Sequence, residues 1–230
     1  MRNVSAEGVQ PLLPRDLERD HHEFAIHIRE WLETCERGLS ALELFTRYGL
    51  KVHEHAARTS LIGRGDRAHI YTRHILDSLN PVNLFETPPA SILDVGSGGG
   101  FPGIPLAIAW PRTSVTLLEC RDRKAGFLEL VVRSLGLANV KVVCDRLERY
   151  TPPSPERRPH TSFLRAVGGL GDLLPMLERI SADGGRWVYY LGFDTAAAPL
   201  KRELGPWGST AQESEGRFGG RLLSGNLKVS

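Results

Sequence analysis

Asp94, Gly96, Gly98, Gly100 and Phe101 stand close together in the stretch SILDVGSGGGFPGIP, residues 91–105. A carboxylate followed by alternating glycines offers two things at one place. The glycines let the chain turn through positive φ and let a ligand approach the main chain, while the acid supplies a negative charge beside it. The apolar pair Ile92 and Leu93 ahead of the acid reads as a strand, and the apolar segment opened by Phe101 and Pro102 reads as a helix. Strand, tight turn and helix place a helix N-terminus against the bound group, the arrangement of a nucleotide-type cofactor loop.

Two cofactor classes compete for this loop. Gly98, Gly100 and Gly103 spell GxGxxG, and Glu119 follows at about the distance of the ribose-binding acid of a dinucleotide fold, so a nicotinamide-dependent oxidoreductase is one reading. The register favours another. The strand ends at Asp94, the turn begins at Gly96, and the pattern becomes Asp94-x-Gly96-x-Gly98-x-Gly100. S-adenosylmethionine has no pyrophosphate to neutralise; it needs close main-chain approach for its methionyl part and a carboxylate, here Asp94, for its ammonium group. Glu119, ending the second strand, can accept ribose hydroxyls in either cofactor. A turn without any ligand explains the glycine density less well.

Other residues could act on a substrate. Arg73 and His74 lie in a helical stretch beside the loop, and His74 and Asp77, at i and i+3, share a helix face where they could bond one another. Arg165 ends the fourth strand and could orient a carboxylate or a phosphate. Arg121, Arg123 and Lys124 follow the second strand; arginine forks suit phosphate, so they are candidate RNA contacts, although exposed arginine is also simply a solvated face. The histidines, including His53 and His55, lack metal-ligand spacing, and no metal site is expected. Cys35, Cys120 and Cys144 are odd in number, far apart and free of CxxC spacing, which reads as reduced, structural thiols.

The elements that must position these groups follow from periodicity. A helix begins at Pro14, carries Leu17, Phe24, Ile28, Trp31 and Leu32 on one face and ends at Gly38; a second starts at Ser40 with Glu43 in capping-box position and stops at Gly49. Residues 51–65 read as irregular and 66–79 as a third helix. Strands are expected at 91–95, 114–119, 140–144, 161–165 and 186–191, with helices at 103–110, 122–135 and 170–181 between them. TPPSPERRP at 152–159 reads as a loop, and 217–223 with 226–229 as a terminal hairpin. This predicts an α/β, Rossmann-like, doubly wound and mostly parallel sheet at 89–230, preceded by a helical element at 15–88 and a loose tail at 1–14.

Composition sets the broad class. The 230 residues are 41% hydrophobic and 24% charged, with a formal charge of +2 and a pI near 8.5, values of an ordinary soluble protein that neither demand nor exclude nucleic acid. No apolar run suits a signal peptide or a membrane span, so a cytoplasmic protein without membrane contact is expected.

DVGSGGGFPGIPLAI, RHILDSL at 73–79 and the stretch from LLECRDRKAGFLE to LGLANVKVVCDRLE together resemble the bacterial small-subunit ribosomal RNA methyltransferase G family, also called GidB. FPGIP after the glycines and RHxLDS before them are not general methyltransferase features, and the resemblance covers about residues 40–195. It implies a seven-stranded sheet preceded by helices, S-adenosylmethionine as cofactor, and methylation of guanine N7 in the 530 loop of 16S rRNA. The partner would be 16S rRNA or the small subunit, and the chain a monomer. Carried over by position, it assigns cofactor contacts to Gly96, Phe101, Leu147, Glu148 and Arg165, with Leu147 and Glu148 flanking the adenine. Leu164, Leu191 and the terminal hairpin depart from the family pattern on the substrate side. A second reading is therefore a cofactor-binding protein that has lost rRNA methylation and serves as an RNA-binding or regulatory module.

Overall fold

A computed structural model of the chain describes residues 12–192 and 194–227. The expected tail at 1–14 and the end of the expected hairpin lie largely outside them. Helix α1 (Arg15–Thr34) buries Leu17, Phe24, Ile28, Trp31 and Leu32, the stripe its periodicity predicts. Asp20 is buried on the same face. Its carboxylate accepts hydrogen bonds from the backbone amides of Tyr71 and Thr72 at 2.7 and 3.2 Å.

Helix α2 (Ser40–Thr59) corrects two expectations. Ser40 makes no capping bond to the helix; its hydroxyl donates to the Arg37 carbonyl at 2.7 Å. Gly49 does not end the helix either, which continues through residues expected to be irregular. Gly49 is small because the Tyr71 ring lies against it where a Cβ would stand, and the Tyr71 hydroxyl donates to the Thr46 carbonyl at 2.9 Å. The expected third helix is broken into a 3₁₀ turn (Arg64–His69), a π-helical segment (Ile70–Leu76) and, after a short α-turn, a second 3₁₀ turn (Asn80–Leu84).

Strands β1 (Ser91–Val95), β2 (Ser114–Leu118), β3 (Val140–Val143), β4 (Thr161–Leu164) and β5 (Arg186–Tyr190) are parallel and fall within the expected ranges. Between them come α3 (Gly103–Ala109), α4 (Asp122–Leu135) and α5 (Leu170–Ile180). Two short helices, α6 (Ala197–Glu203) and α7 (Pro206–Thr210), then precede an antiparallel hairpin, β6 (Gln212–Glu215) and β7 (Arg221–Asn226). The hairpin thus starts earlier than expected, and β7 runs antiparallel to β5. The seven-stranded sheet has the order β3-β2-β1-β4-β5-β7-β6.

Each sheet face has its own core. Ile92, Val115, Leu117 and Phe163 pack with side chains of α1 to α4, whereas Leu93, Leu164 and Trp187 pack with those of α5 to α7. Leu17, Phe24 and Phe45 belong to the same core as the first set of strand residues, so the N-terminal helices are built onto the sheet. Strand order reverses between β1 and β4, and in open α/β sheets the crevice outside the carboxyl ends of two such strands is where ligands bind.

Candidate functional site

The loop after β1 is held by main-chain bonds and by side chains that bond its backbone, among them the Tyr48 hydroxyl, which donates to the Gly99 carbonyl at 2.8 Å. The amides of Gly96 and Ser97 both donate to the Leu118 carbonyl, at 2.8 and 3.1 Å, and Gly100 donates to Ser97 at 2.7 Å. Gly96, Gly98 and Gly100 all have positive φ, which only glycine adopts without strain. At Gly100 (φ +99°) a Cβ would also come within 2.7 Å of Ile104 Cγ1 and 2.9 Å of the Tyr48 hydroxyl. The turn does begin at Gly96, as the register requires.

Asp94 is 1% exposed and does not line the cavity that the loop faces. Its Oδ2 accepts from the Gly103 amide at 3.0 Å, tying the strand end to the start of α3, while Oδ1 has no hydrogen-bond partner. Burial pushes the carboxyl up to about 7, against the opposing pull of the Ser97 hydroxyl, the Gly103 amide and the Arg165 charge. Glu119 is likewise committed to the backbone, accepting from Gly98 N at 2.8 Å and Arg121 N at 2.9 Å. Each of its oxygens keeps a further lone pair for a ligand hydroxyl.

A cavity of about 440 Å³ opens over the loop, within the size range of small-molecule sites. Its wall includes Gly96, Gly98, Phe101, His74, Lys124 and Arg165, closed on one side by residues 60–63. Gly100, Leu147 and Glu148 lie at the same carboxyl edge without lining it. Leu147 is packed in the α5-side core, and Glu148 is exposed, its carbonyl accepting from Arg179.

Arg165 is the junction of the site. Its guanidinium pairs with Asp77 Oδ2 at 2.8 Å, donates to the Arg73 carbonyl at 3.0 Å, and lies 5.7 and 5.8 Å from the ring centres of Phe101 and Tyr190. Arg73 itself points outward to Asp66 at 3.0 Å. His74 packs against Phe101 with ring centres 5.0 Å apart, and its Nε2, without a hydrogen bond, stands 3.6 Å from Asp66 Oδ2. Burial, helped by the Arg165 charge, pushes its pKa down to about 4, so the imidazole is neutral near pH 7. The expected bond between His74 and Asp77 is absent: the π-helical segment, with its wider turn, sends His74 to Asp66 and leaves Asp77 to Arg165.

Arg121, Arg123 and Lys124 are joined by Arg58 around a depression of about 410 Å³, and Lys124 and Ser60 belong to this wall and to that of the first cavity. None of the four cations is ion-paired among the described residues. Arg58 carries no signal in the sequence, because Gly49 reads as the end of α2 well before it. The three thiols are free, as expected of reduced cysteines; Cys35 is half-buried, and Cys120 and Cys144 are exposed, at the ends of neighbouring strands. Among the described residues no group of side chains could hold a metal ion, and no helix is long and apolar enough to cross a membrane.

Residues 41–202 match the family described as GidB, rRNA small subunit methyltransferase G. The chain belongs to this family. A ribosomal RNA small subunit methyltransferase G from Solibacter usitatus is 34% identical over 192 residues, 84% of this chain and 81% of the relative. One from Laribacter hongkongensis is 42% identical over 119 residues, with 52% and 55% covered, so that match spans little more than half of the relative's length. Among solved structures, a SAM-dependent methyltransferase from Aquifex aeolicus aligns with a TM-score of 0.51 at 15% identity, covering 66% of this chain and 92% of that one. The pyocyanin biosynthetic protein PhzM aligns with a TM-score of 0.57 at 17% identity, covering 93% and 74%. These likenesses establish the Rossmann-like methyltransferase fold. Family membership sets aside the oxidoreductase reading of Gly98, Gly100 and Gly103. Gly103 lacks a side chain because a Cβ there would run into Leu117 and Asp94.

Proposed function

We propose that the chain is an S-adenosylmethionine-dependent methyltransferase that modifies N7 of a guanine in the 530 loop of 16S rRNA, acting as a monomer in the cytoplasm on the rRNA or the small subunit. The observation that carries this reading is the cavity at the switch point between β1 and β4, walled by a glycine cradle in a chain of the methyltransferase G family. The residues present suit the cofactor. Gly96 and Gly98 bring main chain to the cavity wall, the Asp94 carboxylate is buried at the end of the strand that leads into them, and Glu119 has acceptor capacity left for ribose hydroxyls.

When bound, S-adenosylmethionine supplies an electrophilic methyl group. Guanine N7 presents an in-plane lone pair and carries no proton, so the acceptor needs no general base. The work left to the protein is alignment and exclusion of water. Phe101 and the neutral His74 form an apolar side of the cavity, and Arg165 fixes the boundary toward the substrate side. Arg58, Arg121, Arg123 and Lys124 suit phosphates of a single RNA strand.

The test is primer extension after chemical cleavage at 7-methylguanine, in a strain lacking the gene and in the same strain complemented. Modification of the 530-loop guanine only with the gene present is the expected result. Cofactor binding without any modification would favour the RNA-binding or regulatory reading instead.

A further inference from the structure

Beyond Arg165 the site continues into two further cavities, of about 590 and 660 Å³. Arg165 belongs to the walls of both and to that of the cofactor-side cavity; Asp77, Gly219 and Gly220 are shared by the two. Their outer wall is the turn at residues 216–220, between β6 and β7, and it is fastened to the N-terminal part chiefly by Asn80. Asn80, 1% exposed, accepts through Oδ1 from the Phe218 and Gly220 amides at 2.9 and 3.0 Å, and its carbonyl accepts from Arg217 at 2.9 Å. Through Nδ2 it donates to Asp77 Oδ1 at 2.9 Å, and Asp77 Oδ2 holds Arg165. Gly216 and Gly220 leave no room for a Cβ against Asn80, and the Phe218 ring meets the Trp31 ring edge-on with centres 5.9 Å apart.

We propose that these two cavities receive the acceptor base, a purine unstacked from an RNA strand, and that Asn80 is the positioning residue that sets their shape by holding the 216–220 turn and Asp77 together. The inference rests on the methyltransferase reading above and names the substrate side of that site. Three observations carry it. The cavities adjoin the cofactor side across Arg165, common to all three walls, with His74 shared by the cofactor side and the first of them and Ala166 by the cofactor side and the second, the adjacency that methyl transfer requires. Tyr189, half-buried, supplies an aromatic wall on which a base can stack. Two carboxylates, Asp66 and Asp77, line the polar side. A carboxylate accepts from the N1–H and N2–H₂ edge of guanine and repels the N1 lone pair of adenine. This gives the site a chemical reason to prefer guanine.

The test uses the full chain, S-adenosylmethionine and small-subunit RNA, with cofactor affinity from calorimetry and steady-state constants for RNA. Asn80→Ala is expected to raise KM for RNA at least about tenfold while cofactor Kd stays within about twofold. It should also narrow the wild-type preference for guanine over inosine at the target position, which a purely structural role would leave unchanged. Phe218→Ala, which cuts only the contact with Trp31, should give a weaker change of the same kind and serves if Asn80→Ala does not fold. Unchanged RNA constants in a folded variant, or parallel loss of cofactor and RNA binding, would overturn the acceptor cavity alone. A wild-type chain that binds the cofactor and methylates no RNA would overturn this inference together with the methyltransferase reading.

Discussion

The cofactor side and the substrate side of the site are built in opposite ways. The first centres on one continuous stretch, Asp94 to Gly103, most of whose bonds go to itself and to the end of the neighbouring strand β2, with one from the Tyr48 hydroxyl of α2 to the Gly99 carbonyl; residues 60–63, His74, Lys124 and Arg165 complete the cavity wall around it. The second is assembled from distant parts: the π-helical segment, the end of β4, the end of β5 and a hairpin turn whose amides reach Asn80 across 138 and 140 residues. A local construction fixes backbone groups, suits a cofactor that does not change, and shows in the sequence as a motif. A distributed construction can alter its walls one residue at a time, which suits the part of a site that selects its substrate. Leu164 and Leu191, where the chain departs from its family's pattern, stand at the ends of β4 and β5, next to this second part.

Variants on the two sides should therefore fail differently. Gly100→Ala should have the largest effect, because backbone strain of about 1–3 kcal/mol adds to contacts with Ile104 and Tyr48. Cofactor binding should be lost and the unfolding midpoint lowered in the same protein; a variant that binds normally would show that the cradle is less constrained than its φ implies. Arg165→Lys comes next. A lysine cannot pair with Asp77, reach the Arg73 carbonyl and stack on Phe101 together, and charge-assisted bonds of this kind are worth about 1.5–3 kcal/mol, so kcat/KM for RNA should fall about 10- to 100-fold. Both sides meet at this residue, so cofactor Kd should rise as well, though less.

Charge reversal is not needed to test the basic rim. The double variant Arg121→Ala, Arg123→Ala should weaken RNA binding with a shallower salt dependence, by a slope of about one per lost phosphate contact, and leave cofactor affinity unchanged. An unchanged salt slope would mean that these arginines are simply solvated.

Asp94 is read through pH and not through binding. Its folded-state pKa, about 7, lies above its ordinary 3.8, so the folded protein holds the proton more tightly over that interval. The stability contributed is complete below pH 3.8 and is lost as pH rises to about 7, by at most on the order of 1 kcal/mol per pH unit. His74, pushed down to about 4, acts in the opposite sense: its contribution is complete above 6.5 and is lost as pH falls toward 4. In denaturant titrations across pH 4 to 8, Asp94→Asn should remove the first slope and uncover the second, so that stability rises with pH where the wild type is nearly flat. An unaltered profile would show that the buried carboxyl keeps an ordinary pKa.

The same contrast explains what the sequence disclosed. Strands β1 to β5 and the start of the turn at Gly96 are legible because apolar runs and glycine spacing are local signals. Gly49 misleads because it looks like a helix stop, when its reason is a ring arriving from Tyr71 in another segment. Helices α6 and α7 are hidden by Gly205, Pro206 and Gly208, residues that read as coil. Gly208 is there because a Cβ would strike the Lys201 backbone where the two helices cross. The site residues divide likewise. Phe101, Lys124 and Arg165 reach the cofactor-side cavity. Asp94 is legible as the acid of the motif, whereas its bond from the Gly103 amide, which ties β1 to the start of α3, is not given by spacing. Asp20, Arg58 and Asn80 carry no motif at all, and only their long-range partners reveal them.

The most direct measurement of the central claim is methyl transfer itself: purified chain, labelled S-adenosylmethionine and small-subunit RNA lacking the modification, with the product mapped by cleavage at 7-methylguanine. The expected result is label at a single guanine of the 530 loop, lost when Gly100 is replaced and weakened when Arg165 is. Cofactor binding with no label in RNA, or label at an exocyclic amine or at cytosine, would contradict it.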